Sequence, residues 1–252
     1  MWLLSFMAVM NFTILLASIG LKAPVIASER IDPHFHYIPL LYKKIRSFLY
    51  RFAKKIIVQT NSAASYFGKN LQRIIQIIPN PVKLPKNHKF FSSTARCIIT
   101  VGRLDKQKDH DILIHAFSRL YPTYPHLGLT IYGGGAERDN LQKSISLPGA
   151  IQEIHQKLLE ADLFGFPPLY DDFPNALVEA MSVGLPIIAS NCSGNIDIVK
   201  NGVDGRIFPV GDVLKLAVLM EALVCDPNTR KRLGEKAKTV AERFHPDLIF
   251  HR

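Results

Sequence analysis

The sequence of 252 residues is poor in cysteine, and its three cysteines lie far apart. Cys97, Cys192 and Cys225 lack the paired spacing of a zinc site, and their odd number argues against a disulfide framework. A reducing compartment therefore fits better than a secreted, disulfide-rich one. The rest of the composition, 48% hydrophobic and 21% charged, is that of a globular chain with one large or two modest domains.

Acidic residues are nearly absent from the first third of the chain. Between Met1 and Phe90, thirteen Lys and Arg residues accompany only two acids, Glu29 and Asp32. The remaining residues hold eighteen basic and nineteen acidic side chains, so the first third carries the whole net charge of +10 (+11 against −1). Such asymmetry indicates that the first third of the chain has an anionic partner. The candidates are a membrane surface, nucleic acid and a phosphorylated substrate.

Charge of either sign is missing from residues 1–21. About 20 apolar residues can span a bilayer, so a transmembrane or signal segment is one interpretation. The run lacks a basic region at its start, however, and Asn11, Thr13 and Ser18 interrupt it. We therefore favour a buried strand over Trp2–Phe6 that leads into a buried helix over Ala8–Gly20.

An amphipathic pattern extends from Leu41 to Ile56. At about 100° per residue its apolar side chains share one side and its basic side chains, Arg46 among them, share the other. A surface helix with a solvated basic face is one interpretation. The other is a helix that rests on anionic headgroups or holds a diphosphate-bearing lipid. The cations of this membrane or acceptor-lipid surface are Lys43, Lys44, Arg51, Lys54 and Lys55.

Two prolines around an asparagine, Pro79-Asn80-Pro81, precede a polar run without apolar periodicity, which marks a domain boundary. From Cys97 onward, strands alternate with helices, and this alternation predicts a parallel, doubly wound sheet. The predicted domains are residues 1–82 and 96–252, joined by a linker at 83–95. Within the second domain we expect helices over 137–145 and 151–161.

Ligands of such a sheet bind beyond the carboxyl ends of its strands, and four loops are predicted there. The first, Gly102–Lys108, places Arg103 and Lys108 directly after a strand, where they can neutralise a diphosphate. A solvated loop with surface cations is the alternative. The second loop is Gly133–Gly135 and the third is Leu147–Ala150. Each loop alone is a weak signal, but four at one sheet edge reinforce one another.

The glycine run Gly133–Gly135 lacks the features of two nucleotide-binding motifs. Arg138 stands where a dinucleotide fingerprint needs a third glycine, and the Gly-Lys-Ser/Thr of a Walker loop is missing. These absences disfavour a nicotinamide oxidoreductase. The glycines still permit close approach of the backbone to a ligand.

The fourth loop connects a strand over Leu163–Phe166 to a helix that we expect to begin near Pro174. Proline suits the first helical position because its missing N–H costs nothing there. The next N–H groups lie at the positive end of the helix dipole without internal partners, which makes a phosphate site. Asp171 and Glu179 accompany this site, and two acids beside a phosphate suggest recognition of a sugar nucleotide.

These stretches resemble the nucleotide-binding half of retaining glycosyltransferases of family 4, which have the GT-B fold. The similar segments are GRLDKQKDHDILIHAF, LTIYGGG, ADLFGFPPLYDDFPNALVEAMSVGLPIIAS and NGVDGRIFPVGD, over most of residues 96–245. The resemblance implies an α/β fold in which a partial, N-terminally truncated Rossmann-like half-domain precedes the doubly wound nucleotide-binding domain. SERIDP and KKIIVQT are similar to enzymes that add hexose or N-acetylhexosamine to polyprenyl-diphosphate glycans or surface polysaccharides.

The resemblance also implies residue roles. Arg103 and Lys108 hold the donor diphosphate and stabilise the leaving group, while Glu179 binds the ribose hydroxyls. Asp171 contacts the transferred sugar, although it replaces a family glutamate and its carboxylate is one methylene shorter. No obligatory metal or other cofactor is implied. The donor-binding residues are Gly102, Gly133, Gly134, Gly149, Phe173, Pro174, Asn175, Ala176 and Leu177.

The expected activity is that of a hexosyltransferase that moves a sugar from a UDP-linked donor, with retention, to a glycan or lipid-linked acceptor. The expected location is the inner face of the cytoplasmic membrane, as a peripheral protein. Nucleic acid is not an expected partner because no base-stacking array accompanies the basic residues. Since the family's first strands are absent, we expect weak activity from this chain. The alternative is a noncatalytic, membrane-associated nucleotide-binding remnant.

Overall fold

A computed structural model describes residues 2–21, 23–35, 39–85, 89, 91–138, 145–150 and 153–250. The chain divides into two compact units. The first contains residues 1–80 with 171–173, and the second contains residues 81–170 with 174–251. Each unit has its own parallel sheet, so the predicted α/β class with parallel sheets is confirmed.

The first unit is a four-stranded sheet in the order β1-β2-β3-β4. Successive strands lie side by side, so right-handed crossovers place their helices on one face of the sheet. That face holds a buried core to which Leu15, Leu49 and Ile56 contribute. The elements are β1 (Leu3–Phe6), α1 (Ala8–Ala17), β2 (Val25–Ser28), α2 (Leu40–Leu49), β3 (Lys55–Val58), α3 (Asn61–Ser65) and β4 (Ile75–Ile77).

The strand and helix expected in residues 1–21 are present as β1 and α1, but the expectation that they are buried is wrong. Within α1 only Ala8, Asn11 and Leu15 are buried. Along β1 the burial alternates, because the described part of the unit covers only one face of this edge strand. No helix in the described ranges is long and apolar enough to cross a membrane.

The helix predicted from Leu41 to Ile56 is too long. Helix α2 ends at Leu49, a 3₁₀ turn follows over Tyr50–Phe52, and Ile56 is a buried residue of strand β3. The apolar periodicity could not show that the helix ends at Leu49. Ile56, which is buried in strand β3, falls at a position where a continued helix would also have an apolar residue. Lys55 is therefore the first residue of β3 and Lys54 directly precedes it, so neither lysine belongs to a helical basic face.

Arg46 was predicted on the solvated basic side of this helix, and the structure corrects that expectation. Its side chain is buried, with Nη1 3.7 Å from Oε1 of Glu29. The guanidinium also lies over the rings of Tyr66 and Phe67, at 5.2 and 5.6 Å from their centroids. The Tyr50 hydroxyl donates to the same Glu29 carboxylate, and burial together with Glu29 raises the pKa of Tyr50. Arg46 is thus a core residue of the first unit.

The second unit is a six-stranded parallel sheet in the order β10-β9-β8-β5-β6-β7. Its strands are β5 (Cys97–Val101), β6 (Gly128–Tyr132), β7 (Ser146–Gly149), β8 (Leu163–Phe166), β9 (Ile187–Ser190) and β10 (Arg206–Phe208). Its helices are α4 (His110–Leu120), α5 (Ile154–Glu160), α6 (Asn175–Ser182), α7 (Ser193–Ile196), α8 (Val213–Cys225), α9 (Pro227–Ala241) and α10 (Pro246–Phe250). Helices α4 and α8 pack on one face over a shared core.

The strand order reverses at β5. From β5 the chain proceeds outward to β6 and β7, and it then returns to place β8 on the other side of β5. Ligands of open α/β sheets bind at such a switch point, beyond the carboxyl ends of the two strands. The loops that follow β5 and β8 are the first and fourth loops predicted from the sequence.

Two local predictions for the second unit need correction. The third predicted loop, Leu147–Ala150, is largely strand β7, an edge strand in which Pro148 needs no ladder partner for its missing N–H. Pro174 was expected at the first helical position, but it is the N-cap residue of α6, and the helix begins one residue later, at Asn175. The helix predicted over 137–145 lies mostly outside the described residues.

Candidate functional site

The loops after β5 and β8 are joined through Gln107. Its side-chain amide donates to the carbonyl oxygen of Tyr170 (3.0 Å), and its backbone carbonyl accepts from the N–H of Leu169 (2.9 Å). Its side-chain oxygen in turn accepts a hydrogen bond from Nη2 of Arg103 (2.8 Å). A single glutamine therefore holds the two switch-point loops in one arrangement.

The two predicted diphosphate ligands lie on this joined pair of loops. Arg103 is exposed and pairs with Asp105, with 3.1 Å between Nη1 and Oδ2. Lys108 lies with Nζ 5.3 Å from the centroid of Phe166, the last residue of β8. The structure thus brings both cations to the switch point. The sequence predicted this because Arg103 and Lys108 directly follow strand β5.

His110 supports the loop that carries Arg103. It is buried at the start of α4, and its Nε2 lies 3.2 Å from the carbonyl oxygen of Arg103. Burial lowers the pKa of His110 to about 4, so the ring is neutral at physiological pH. A neutral imidazole can donate one hydrogen bond to that carbonyl without adding a charge beside the predicted phosphate ligands.

The glycine run packs against the first loop through backbone contacts. The N–H of Leu104 donates to the carbonyl of Gly134 (2.9 Å), and the N–H of Gly133 donates to the carbonyl of Gly149 (3.0 Å). A methyl group on Gly133 would overlap the carbonyl oxygen of Gly102, whereas one on Gly134 would meet nothing within 4 Å. Gly133 is therefore required by packing, and Gly134 offers open backbone to a ligand.

Helix α6 begins where the fourth loop was expected to present its amides. Its internal hydrogen bonds start with the N–H groups of Leu177 and Val178, which both donate to the carbonyl of Pro174 (3.0 and 3.2 Å). The first turn of an α-helix leaves its leading N–H groups without partners inside the helix, at the positive end of its dipole. This end of α6 follows β8 and has the geometry of an anion site. Leu177 itself is fully buried.

Glu179 lies in the second turn of α6, partly buried. Burial raises the pKa of its carboxyl group, and His155 of α5 opposes that rise. In the described part of the chain, the buried Nε2 atom of His155 has no hydrogen-bond partner. Glu179, the predicted ribose ligand, therefore interacts electrostatically with His155, a residue that the sequence analysis did not single out.

Asp171 and Phe173 group with the first unit rather than with α6. The carboxylate of Asp171 accepts the N–H of Asp172 (3.1 Å), and Phe173 is buried. Asp172 is also buried, with Oδ1 2.9 Å from the hydroxyl of Thr60. The pKa of Asp172 is raised to about 6, chiefly by burial and further by the carboxylates of Asp32, Asp171 and Glu29, while Thr60 lowers it.

Replacing Asp172 with Asn should stabilise the protein at pH 8 and not at pH 4. The folded-state pKa of about 6 exceeds the ordinary value near 4. The folded state therefore holds a proton that the unfolded state releases between these values, and the free energy of unfolding falls as pH rises through 6. We expect D172N to be more stable by about 2 kcal/mol at pH 8, measured by urea denaturation. An equal difference at both pH values would contradict this assignment.

The predicted lipid-binding cations are all in the first unit, and four of the five are exposed. Lys43, on α2, is partly buried. Two aromatic residues beside them, Phe48 and Phe52, are 56% and 58% exposed, although the helical pattern predicted them on a covered side. The surface around α2 is therefore both basic and aromatic. The exposed cations are Lys44, Arg51, Lys54 and Lys55.

Residues 85–240 match the Glycos_transf_1 family, the glycosyl transferases group 1. This match covers more than half of the chain, including both switch-point loops, the glycine run and helix α6. The chain belongs to the group 1 glycosyl transferases. The predicted GT-B type of fold is confirmed by its similarity to solved structures. One is the Anabaena HepE protein in complex with UDP, with a TM-score of 0.87 at 19% identity, over 99% of this chain and 76% of that one.

Two curated relatives indicate the range of this group. The chain is 30% identical over 211 residues to an exopolysaccharide phosphotransferase of Streptomyces coelicolor. This alignment covers 77% of this chain and 22% of that protein. It is 25% identical over 252 residues to a Campylobacter jejuni N-acetylgalactosaminyltransferase named for an undecaprenol-diphosphate-linked glycan, over 96% of this chain and 70% of that enzyme. The chain thus spans about a fifth of the first relative and about seven-tenths of the second.

Sequence reasoning missed Gln107 and His155. Gln107 stands between the two predicted cations in GRLDKQK, but a glutamine in a polar loop carries no pattern that distinguishes it. His155 follows an apolar helix pattern and becomes noticeable only because α5 packs beside α6. Both roles depend on residues more than twenty positions away, so only the folded chain shows them.

Proposed function

We propose that this group 1 glycosyl transferase moves a hexose or N-acetylhexosamine from a UDP-linked donor to a glycan or polyprenyl-diphosphate-linked acceptor, with retention as in family 4. Arg103 and Lys108 bind the diphosphate and stabilise the charge of the departing nucleotide. The leading amides of α6 bind phosphate, and Glu179 accepts hydrogen bonds from the ribose. Asp171 contacts the sugar that is transferred.

The observation that carries this proposal is the joining of the two switch-point loops by Gln107. It places two cations and a helix start at the carboxyl ends of adjacent strands β5 and β8. Cations and helix dipole together offset the charge of a diphosphate without a bound metal. The UDP in the HepE structure and the lipid-linked glycan in the Campylobacter enzyme's name support the classes of donor and acceptor proposed.

Removing either predicted diphosphate ligand should weaken UDP binding. We expect R103A and K108A each to raise the dissociation constant for UDP by about tenfold or more in titration calorimetry, since a charge-assisted hydrogen bond contributes about 1.5–3 kcal/mol. Lys106 is an exposed lysine of the same loop, and K106A is the matched control. If K106A and K108A bind UDP with equal affinity, Lys108 is not a ligand of the diphosphate.

Sugar transfer is tested separately from UDP binding. The chain is incubated with radiolabelled UDP-glucose, UDP-N-acetylglucosamine or UDP-N-acetylgalactosamine and a polyprenyl-diphosphate-linked acceptor, and the anomeric configuration of the product is read by NMR. An α-linked product confirms retention. UDP binding without transfer to any acceptor favours the noncatalytic remnant, and absence of UDP binding contradicts both functions.

We also propose that the protein acts peripherally at the inner face of the cytoplasmic membrane through the basic surface around α2. Reversal of Lys43, Lys54 and Lys55 to Glu is expected to abolish binding to anionic liposomes in a co-sedimentation assay, because it changes the local charge by −6. The control reverses three exposed lysines of the second unit, Lys215, Lys231 and Lys236, by the same amount. Equal loss in both variants would show that net charge alone determines binding.

A further inference from the structure

One buried imidazole contacts the backbone of the loop that carries both predicted diphosphate ligands. His110 is 2% exposed at the start of α4, and its Nε2 atom lies 3.2 Å from the carbonyl oxygen of Arg103. The ring also packs against Gly102, where a methyl group would lie 3.5 Å from Cε1 and Nε2 of the histidine. His110 therefore touches the loop from the core side, and it is too buried to touch a ligand itself.

The hydrogen bond to Arg103 decides which ring nitrogen carries the proton. A carbonyl oxygen only accepts, so Nε2 is the donor in this contact. Burial lowers the pKa of His110 to about 4, so the ring holds a single proton at physiological pH. Nδ1 is buried without a hydrogen-bond partner among the described residues. A proton on Nδ1 would leave that N–H unsatisfied and would deprive the Arg103 carbonyl of its donor, so the proton belongs on Nε2.

The residue before His110 has a backbone conformation that L residues adopt at a cost. Asp109 has φ 47° and ψ 48°, in the left-handed region that favours glycine. Its side chain makes no capping hydrogen bond to α4, so capping does not account for this conformation. Strained residues persist where the surrounding structure holds them in place, and they concentrate at functional sites. This turn separates Lys108, at the switch point, from His110, in the core.

The contact with His110 ties the backbone of Arg103 to the core of the second unit. The two partners of the Arg103 guanidinium, Gln107 at 2.8 Å and Asp105 at 3.1 Å, belong to the same loop as Arg103. His110 instead belongs to α4, whose apolar side chains form part of the buried core. A movement of the loop would therefore carry Arg103 and its two loop partners together, and the bond from His110 opposes that movement.

We propose that His110 is a positioning residue for the donor diphosphate. Its Nε2–H group holds the carbonyl of Arg103, and it thereby keeps the Arg103 guanidinium where the diphosphate binds. The inference rests on the proposed function, because the effect of His110 on the donor passes through a predicted UDP ligand. It goes beyond packing, since a ring that only fills space could be replaced by an apolar side chain of similar size.

The matched variants are H110M and H110Q, whose side chains have similar lengths and differ in the presence of an N–H donor. In titration calorimetry H110M should raise the dissociation constant for UDP about tenfold, as expected for the loss of one hydrogen bond. H110Q should restore the affinity to within about threefold of the unaltered chain, because its amide can donate to the same carbonyl. H115M alters an exposed histidine of the same helix and should leave UDP binding unchanged. Equal affinities of H110M and H110Q would overturn the proposal.

A double-mutant cycle with R103A tests whether His110 acts through Arg103. We expect R103A/H110M to bind UDP as weakly as R103A does, to within about twofold, because a positioning residue has no effect once the group that it positions is gone. Losses that add in the double variant would show that His110 acts independently of Arg103 and would overturn the proposal.

The protonation of the unaltered chain is a second measurement, and it keeps the proposal falsifiable if H110M does not fold. A long-range ¹H–¹⁵N NMR spectrum should show a protonated Nε2 and an unprotonated Nδ1 in His110, and the opposite tautomer would overturn the proposal. Failure of the proposed function is distinguishable: if R103A binds UDP normally, Arg103 is not a ligand and both proposals fall. If R103A binds UDP weakly and H110M binds it normally, only the role of His110 is wrong.

Discussion

Replacement of Arg230 by Ala is expected to lower the free energy of unfolding by about 4 kcal/mol, the largest effect on stability that we predict. Arg230 is fully buried in α9. Its Nη1 donates to the carbonyls of Leu223 and Val224 in the last turn of α8 (2.7 and 2.8 Å). Its Nη2 donates to the carbonyls of Ser92 and Ser93 (2.8 and 3.0 Å).

The cause of this loss is that four carbonyl oxygens lose their donor at once. The last turn of a helix has no internal donors for its carbonyls, so Arg230 acts as a side-chain cap for α8. It also fastens the stretch before β5 to the second unit. Arg232, on the same helix, is exposed, and its Nη1 donates to the carbonyl of Gly202 (3.2 Å).

Urea denaturation measures the difference. R232A is the matched control and should change the free energy of unfolding by less than about 0.5 kcal/mol. R230K keeps the charge but cannot reach four acceptors with a single ammonium group, so it should lie between R230A and the unaltered chain. Equal stabilities of R230A and R232A would show that the buried guanidinium is not what holds α8 and residues 92–93 together.

The second large effect is expected at the glycine run. G133A should abolish measurable UDP binding and destabilise the protein by about 3 kcal/mol, because the new methyl group overlaps the carbonyl oxygen of Gly102 and overpacking has a cost of that order. The backbone of the first loop must then move away from β6. Arg103 moves with that loop, so the loss of UDP binding follows from the loss of its position.

Gly134 provides the control, since an added methyl group there meets nothing within 4 Å. G134A should retain the stability of the unaltered chain within about 1 kcal/mol. If G134A also binds UDP normally, the glycine run serves packing alone. If G134A weakens UDP binding at unchanged stability, a phosphate approaches this backbone. Normal stability of G133A would contradict the packing seen around Gly102.

The parts of the fold that sequence predicted well are those set by short-range patterns. The strand over Leu163–Phe166 was predicted with its observed ends, because it is an apolar run followed by two prolines. The pattern failed where two elements share one periodicity, as at Ile56, and where a strand contains Pro and Gly, as in β7. Burial of residues 1–21 was also wrong, because hydrophobic composition does not say what is available to cover it.

The sequence by itself determined the alternation of strands and helices after Cys97 and the cations that follow β5. It also determined the glycine run and the helix start after β8. These features depend on neighbours within a few positions, which is the range over which periodicity and turn chemistry act. Only the tertiary structure decided that Gln107 joins two loops, that Arg46 and Arg230 are buried, and that β1 pairs with β2 alone among the strands of the described residues. Each of these depends on contacts between residues far apart in the chain, and such contacts exist only after the sheets have formed.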